Sequence, residues 1–296
     1  MRRLRHAGTT TWVVFLILLC AGRPAQSEQH GSPAAKSAPA GCQRSAFRVV
    51  VDVGHTVEVP GAISARGVLE YAFNLQLAND VKQALVDAGF DKTVMLITAK
   101  APPMGLIERA LRANAMRADL FFSIHHDSVP DYLLETWEHD GKQNQFSDRF
   151  KGYAIFISND NADRNGSLKF GHLLGKELQA RDLQYTPHYT LALMGSRRRQ
   201  LLDSDAGVYR YDQLIVLRDT RMPAVLLEAG SIVNRDEEVE LAGAERRLRT
   251  ANAVVAAVED FCRTRLRPDS DQPVKRRTSS KTATPPGHVN PDVSAR

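Results

Sequence analysis

FRVVVDVGH, residues 47–55, decides how this chain is read. Its β-branched run favours an extended strand; it stops at Gly54, and His55 follows at once. The pattern recurs downstream. Leu120–Ile124 (LFFSI) runs into His125-His126-Asp127, and Pro223–Leu227 (PAVLL) runs into Glu228. Between these runs the apolar residues change to helical spacing. Glu70–Ala88 places Phe73, Leu77, Val81, Ala84, Leu85 and Ala88 on one side and stops at Gly89, a C-terminal cap. Leu106–Ala118 and Ser167–Ala180 read as further helices, and Glu237–Cys262 as one long closing helix. Thr93–Thr98, Gly152–Ser158 and a short Leu214–Leu217 read as further strands. Strands alternating with helices predict an α/β fold: a single domain with a mostly parallel twisted sheet, flanked by helices on both faces. The stretches 129–151 and 183–213 match neither pattern. They are long for connections, which points to a role in function.

Charge separates the body from its ends. Residues 46–262 hold 25 Lys and Arg against 30 Asp and Glu, a net of −5, so the overall +5 comes from the two termini, each of which carries +5. A nucleic-acid enzyme concentrates its bases on the folded surface, and this chain does not. Arg2, Arg3 and Arg5 precede the apolar run Trp12–Leu19, with Ala25-Gln26-Ser27 after it. That is the layout of an export signal, too short for a comfortable membrane span. The expected organisation is a signal peptide over 1–27, a disordered linker over 28–45, a catalytic domain over 46–265 and a basic disordered tail over 266–296. The apolar run leaves with the signal, so the mature chain is expected in the periplasm without stable membrane insertion. Cys42 and Cys262 then remain. They either pair across the domain's ends, as an oxidising compartment permits, or stay as two free thiols.

The strand ends carry the chemistry. In open α/β sheets the site lies beyond the carboxyl ends of the strands, so His55, His125-His126 and Glu228 come to one rim, with Glu70 at the start of the next helix. Two imidazoles and a carboxylate suit Zn²⁺, which in catalytic sites keeps three protein ligands and an open fourth place. His55, Glu70 and His125 make such a set. Glu228 is then free to take a proton from the attacking water and pass it to the leaving amine. His125 and His126 point to opposite faces of an extended chain, so only one of them meets the ion.

Four blocks carry a family resemblance: VDVGHTVEVPGA from residue 51, GVLEYAFNLQLA from 67, LIERALRANAMRADLFFSIHHDS from 106 and VLRDTRMPAVLLEAGSIVN from 216. In this order they resemble the zinc-dependent N-acetylmuramoyl-L-alanine amidases of the Amidase_3 family, over roughly residues 46–262. The resemblance implies one Zn²⁺ per chain on His55, Glu70 and His125, and prefers His125 over His126. It also implies Glu228 as catalytic base and acid, and peptidoglycan as the partner. The bond cut would be the amide between N-acetylmuramic acid and the L-alanine of the stem peptide, during wall turnover or septum splitting. An activator protein of unidentified kind is the other partner it admits. The chain differs from the family in Thr56-Val57-Glu58, where glycines often follow the first histidine, and in having only residues 159–166 where some members insert an inhibitory helix. Two rival readings stand beside it: a zinc peptidase acting within the stem peptide, and a non-catalytic peptidoglycan-binding protein on the same fold. Arg109 is expected to hold the fold through an ion pair rather than to touch substrate, which is the alternative reading, and Asp127 either supports a ligand or caps a loop. Arg197-Arg198-Arg199 is either a solvated run or a contact for substrate carboxylates.

Overall fold

A computed structural model describes residues 41–265. The expected export signal, the linker up to residue 40 and the basic tail lie outside the described residues. Three strands form the middle of the sheet: β1 (Val49–Val53), β3 (Leu120–Asp127) and β9 (Ala224–Ser231). β2 (Val94–Leu96) pairs with the outer side of β1. On the other side stand β6 (Ala154–Ile157), β8 (Val208–Arg210) and β7 (Leu201–Asp203). The spatial order is β2-β1-β3-β9-β6-β8-β7. Pairing is parallel from β2 through β9 and again between β6 and β8; β6 runs antiparallel to β9, and β7 to β8.

Alternation along the strands builds two apolar layers. Val49, Val51, Val53, Phe122, Ile124, Val225 and Leu227 face one way. There they meet α1 (Glu70–Asp87), α3 (Arg164–Gln179) and α6 (Ala244–Thr264). Val50, Phe121, Phe156, Ala224 and Leu226 face the other way, against α2 (Met104–Ala115) and the single turn α4 (Ile215–Arg218). Apolar runs covered on both faces are what parallel strands require. The anticipated α/β architecture is therefore present.

Two local expectations are corrected. Leu214–Leu217 does not form a strand: Leu217 and Arg218 donate backbone hydrogen bonds to the Leu214 carbonyl, and α4 buries Val216 and Leu217 from a helical turn. A four-residue apolar run has no period long enough to separate the two. The closing helix is two helices. α5 (Arg235–Ala242) is capped by the Asn234 side chain, which accepts from the Asp236 and Glu237 amides, and extended Gly243 separates it from α6. The two unassigned stretches gain structure. Residues 129–151 carry an antiparallel hairpin, β4 (Glu135–His139) with β5 (Lys142–Phe146), and 183–213 carries two short 3-10 turns followed by β7 and β8. Cys42 and Cys262 are joined as a disulfide with Cα atoms 5.1 Å apart, which settles that pair.

Candidate metal centre and active-site cleft

The site starts where β1 stops. Gly54 donates its amide to the Ile124 carbonyl at 3.0 Å and lies against the His125 ring. A Cβ on Gly54 would stand 2.4 Å from His125 Nε2, so only glycine lets the second imidazole in here. His55 then turns into the left-handed region at φ 66°, a conformation costly for a residue with a Cβ and common at functional sites. Arg109 holds it there: its guanidinium donates to the Val53 and His55 carbonyls and to Asp52 Oδ1, the last at 2.7 Å. Ser123 Oγ donates to the other Asp52 oxygen at 2.7 Å. Burial pushes the Asp52 carboxyl up, against the Arg109 charge and the Ser123 hydrogen bond, which hold it down. Arg109 thus fills the structural role expected of it, bracing the turn that presents His55.

Glu70 opens α1 and places its carboxylate between the two histidines. Oε2 lies 3.0 Å from His55 Nε2 and accepts from the Ala62 amide at 3.0 Å; Oε1 lies 3.1 Å from His125 Nδ1. Burial alone would raise this acid, but the hydrogen bonds and charges of His125 and His55 outweigh it and hold Glu70 well below the usual carboxylate range. One turn along the helix, Asn74 Nδ2 donates to Glu70 Oε1 at 3.1 Å and to the Gly54 carbonyl at 3.2 Å. Its Oδ1 lies 2.8 Å from His126 Nδ1. His126 is buried on the far side of β3, its pKa lowered to about 3, first by desolvation and also by the His125 charge. It belongs to the wall behind the site.

One ligand atom each from His55, Glu70 and His125 can be chosen so that all three lie within 4.8 Å of one another. Ligand atoms around a tetrahedral zinc stand about 3.3 Å apart, so small side-chain rotations would close the set. The mixture of two nitrogens and one oxygen is that of catalytic zinc sites with an open fourth place. Gly61 completes the cradle: at φ 83°, a Cβ there would meet Glu70 Oε2 at 2.4 Å and His55 at 2.6 Å.

Glu228 stands on β9 opposite His125 in register, so both project from the same face of the sheet. Its Oε2 is buried with no hydrogen-bond partner among the described residues, a condition that calls for an absent partner. Burial raises its pKa well above the ordinary carboxylate value; the Asp127 and Glu70 charges add to this, and Arg197 opposes it. Asp127 supports no ligand directly. It accepts from Tyr189 Oη at 2.7 Å and lies 3.3 Å from His188 Nε2. All four predicted residues line one cleft of about 860 Å³, bounded by Gln143–Gln145 of the hairpin on one side and by Arg197, Arg199 and Tyr211 on another. Sequence reading missed Asn74 and Tyr189. A polar residue on the apolar face of α1, four positions after Glu70, was the available signal for Asn74; nothing local marks Tyr189.

Residues 49–260 match the family model described as N-acetylmuramoyl-L-alanine amidase. The chain is 25% identical over 225 residues to the N-acetylmuramoyl-L-alanine amidase AmiC of Neisseria meningitidis serogroup B, covering 73% of this chain and 53% of that protein. It is 30% identical over 189 residues to the endolysin of Bacillus phage SPP1, covering 64% of this chain and 56% of that one. It therefore spans about half the length of these two relatives. Among solved structures the fold is shared with the N-acetylmuramyl-L-alanine amidase Ami1 of Mycobacterium smegmatis: TM-score 0.56, 20% identity, 73% of this chain and 96% of that one.

Proposed function

This chain belongs to the Amidase_3 family of N-acetylmuramoyl-L-alanine amidases, and from that premise we propose that it cleaves the lactyl amide between N-acetylmuramic acid and L-alanine using one zinc ion. His55, Glu70 and His125 would hold the ion, and Glu228 would move the proton. The observation that carries this reading is the convergence of three donor atoms within 4.8 Å, with Glu228, whose Oε2 is buried without a hydrogen-bond partner among the described residues, lining the same cleft. A zinc ion in that place supplies Lewis acidity, which polarises the scissile carbonyl and acidifies the attacking water.

The chain's own residues do the rest. Arg109 and Gly54 fix His55 and His125 against each other, and Asn74 locks the rotation of Glu70. Fixing ligand orientation from behind is the usual work of such partners. Glu228, raised by burial and by neighbouring carboxylates, is suited to hold a proton between the two halves of the reaction. It takes that proton from water as the C–O bond forms and delivers it to the alanine nitrogen as the C–N bond breaks.

The proposal extends to the cell. Residues 46–265 act as the catalytic domain, 1–27 as an export signal to the periplasm, and 28–45 and 266–296 as a linker and a basic tail. There the protein would act on peptidoglycan during septum splitting or wall turnover, with or without an activator protein. Among the described residues no helix is long and apolar enough to cross a membrane.

The test is a digest of purified peptidoglycan by the purified protein, with and without chelator, read by mass spectrometry. Intact stem peptides beginning with L-Ala are expected, lost on chelation and in Glu228→Ala, while that variant keeps about one zinc per chain. Shortened stems still attached to glycan would make the protein a peptidase. Zinc loss in Glu228→Ala would make Glu228 a ligand.

A further inference from the structure

Among the described residues, two cations lining the cleft form no ion pair, although the Arg197 charge is felt by Glu228. Arg197 Nη1 donates to the Ser128 carbonyl at 2.8 Å. Arg199 lies over the Tyr211 ring, its Cζ 4.0 Å from the ring centre, and its Nη1 donates to the Ser196 and Arg198 carbonyls at 2.8 and 3.0 Å. Among the described residues, the hydrogen bonds of both guanidiniums go to backbone oxygens only. Arg199 Nε is buried and has no acceptor. Other arginines of the body do find carboxylates: Arg66 with Glu238, Arg210 with Asp212, Arg235 with Asp148. The third member of the run behaves differently, since Arg198 Nε bonds to the Thr190 carbonyl and its side chain does not line the cleft.

Arg197 and Arg199 both line the wall of the cleft that contains Glu228. Each has one nitrogen on a carbonyl anchor, so the guanidinium is oriented; Arg197 keeps Nε and Nη2 for a ligand, and Arg199 keeps Nη2, its Nε being buried. Arginine forks of this kind suit planar carboxylates. A stem peptide is anionic. Its first free carboxylate, the α-carboxyl of the γ-linked D-glutamate, follows the alanine at the scissile bond, within about 7 Å for two extended residues. We propose that Arg197 and Arg199 form a carboxylate subsite that grips the stem peptide on the leaving-group side of the cut. This rests on the amidase reading above and deepens it. The site prefers acidic over amidated stems, and Tyr211 serves as the platform that keeps Arg199 from folding back.

The experiment uses three soluble muramoyl tetrapeptides: one with all carboxylates free, one with the D-glutamate α-carboxyl converted to carboxamide, and one with the diaminopimelate carboxyl so converted. The wild-type protein is expected to favour the free acid over one of the two amides by about tenfold or more in kcat/KM, mainly through KM. Which amide suffers identifies the carboxylate that is held. In the double variant Arg197→Gln, Arg199→Gln that ratio should fall towards one, whereas Arg198→Gln should keep the wild-type ratio. A variant that merely folds less well lowers all three rates together and leaves the ratio standing, so a surviving ratio in the double variant overturns the proposal, as does equal use of all three substrates by the wild type. If the wild type cleaves none of them, calorimetric binding of the same three compounds decides. An Arg-dependent preference for the acid keeps the subsite while the amidase reading falls, and no preference removes both.

Discussion

Asn74 shows how much of a metal site lies outside its ligands. It is fully buried, ties Glu70 to the Gly54 carbonyl, and meets His126 from behind. Asn74→Ala should leave the fold intact by circular dichroism yet lower zinc affinity by about 10- to 100-fold in competition with a chelating dye. Glu228 gives a second prediction. Its pKa is raised by burial first, then by Asp127 and Glu70. A general base works when ionised, so kcat/KM should rise with pH through that raised pKa. Asp127→Asn removes one of the raising charges and should move this acid limb to lower pH; a limb that stays in place, or moves up, would show that Asp127 does not act on Glu228. The two histidines, Glu70 and Glu228 were legible because His55 follows a strand, His125 and Glu228 lie towards the carboxyl ends of theirs after apolar runs, and Glu70 opens a helix, where side chains of an α/β sheet converge. Asn74 was not, because one amide on an apolar helix face has no chemistry until its neighbours in space are known. Tyr189 comes from a stretch without any period.

The elements around the cleft were read less evenly. β1, β3 and β9 declared themselves as apolar runs ending in chemistry, and α1 as a long helical stripe. α4 did not, since four apolar residues suit a turn or a strand equally, and the break at Gly243 lay within a helical pattern that continues on both sides. The hairpin β4–β5 has polar, exposed strands and no alternating apolar face to reveal it. Trp137 is one of its anchors to the body: Nε1 donates to the Ala65 carbonyl at 2.8 Å, and the guanidinium carbons of Arg66 and Arg235 lie 5.5 and 5.1 Å from the Trp137 ring centre, with Arg235 also 3.8 Å from that of Phe146. Arg66 is anchored in turn by Glu238 at 2.7 Å. Trp137→Ala should release the hairpin while the sheet stays folded. Limited trypsin digestion should then cut after Lys142 much faster than in the wild type, with little change in melting temperature. Equal protection would mean that other contacts hold the hairpin.

At the scale of the whole molecule, one covalent bond closes the domain. The Cys42–Cys262 disulfide spans 220 residues and ties the segment before β1 to the end of α6. Restricting so long a loop in the unfolded chain contributes up to about 5 kcal/mol in the chain-entropy model. The Cys42→Ser, Cys262→Ser variant should therefore unfold at clearly lower urea concentration, and reducing agent should destabilise the wild type but leave that variant unmoved. The layered architecture, by contrast, does not depend on the bond, since both faces of the sheet are covered by helices. The proposed chemistry depends on three side chains, from the turn after β1, from α1 and from β3, acting as one ligand set. Zinc stoichiometry decides this most directly, measured by competition titration with a chelating dye on the wild type and on His55→Ala, Glu70→Ala and His125→Ala. The prediction is one tightly held zinc per wild-type chain and loss of that zinc in each folded single variant. A wild type that binds none, or a zinc that survives all three substitutions, would contradict it.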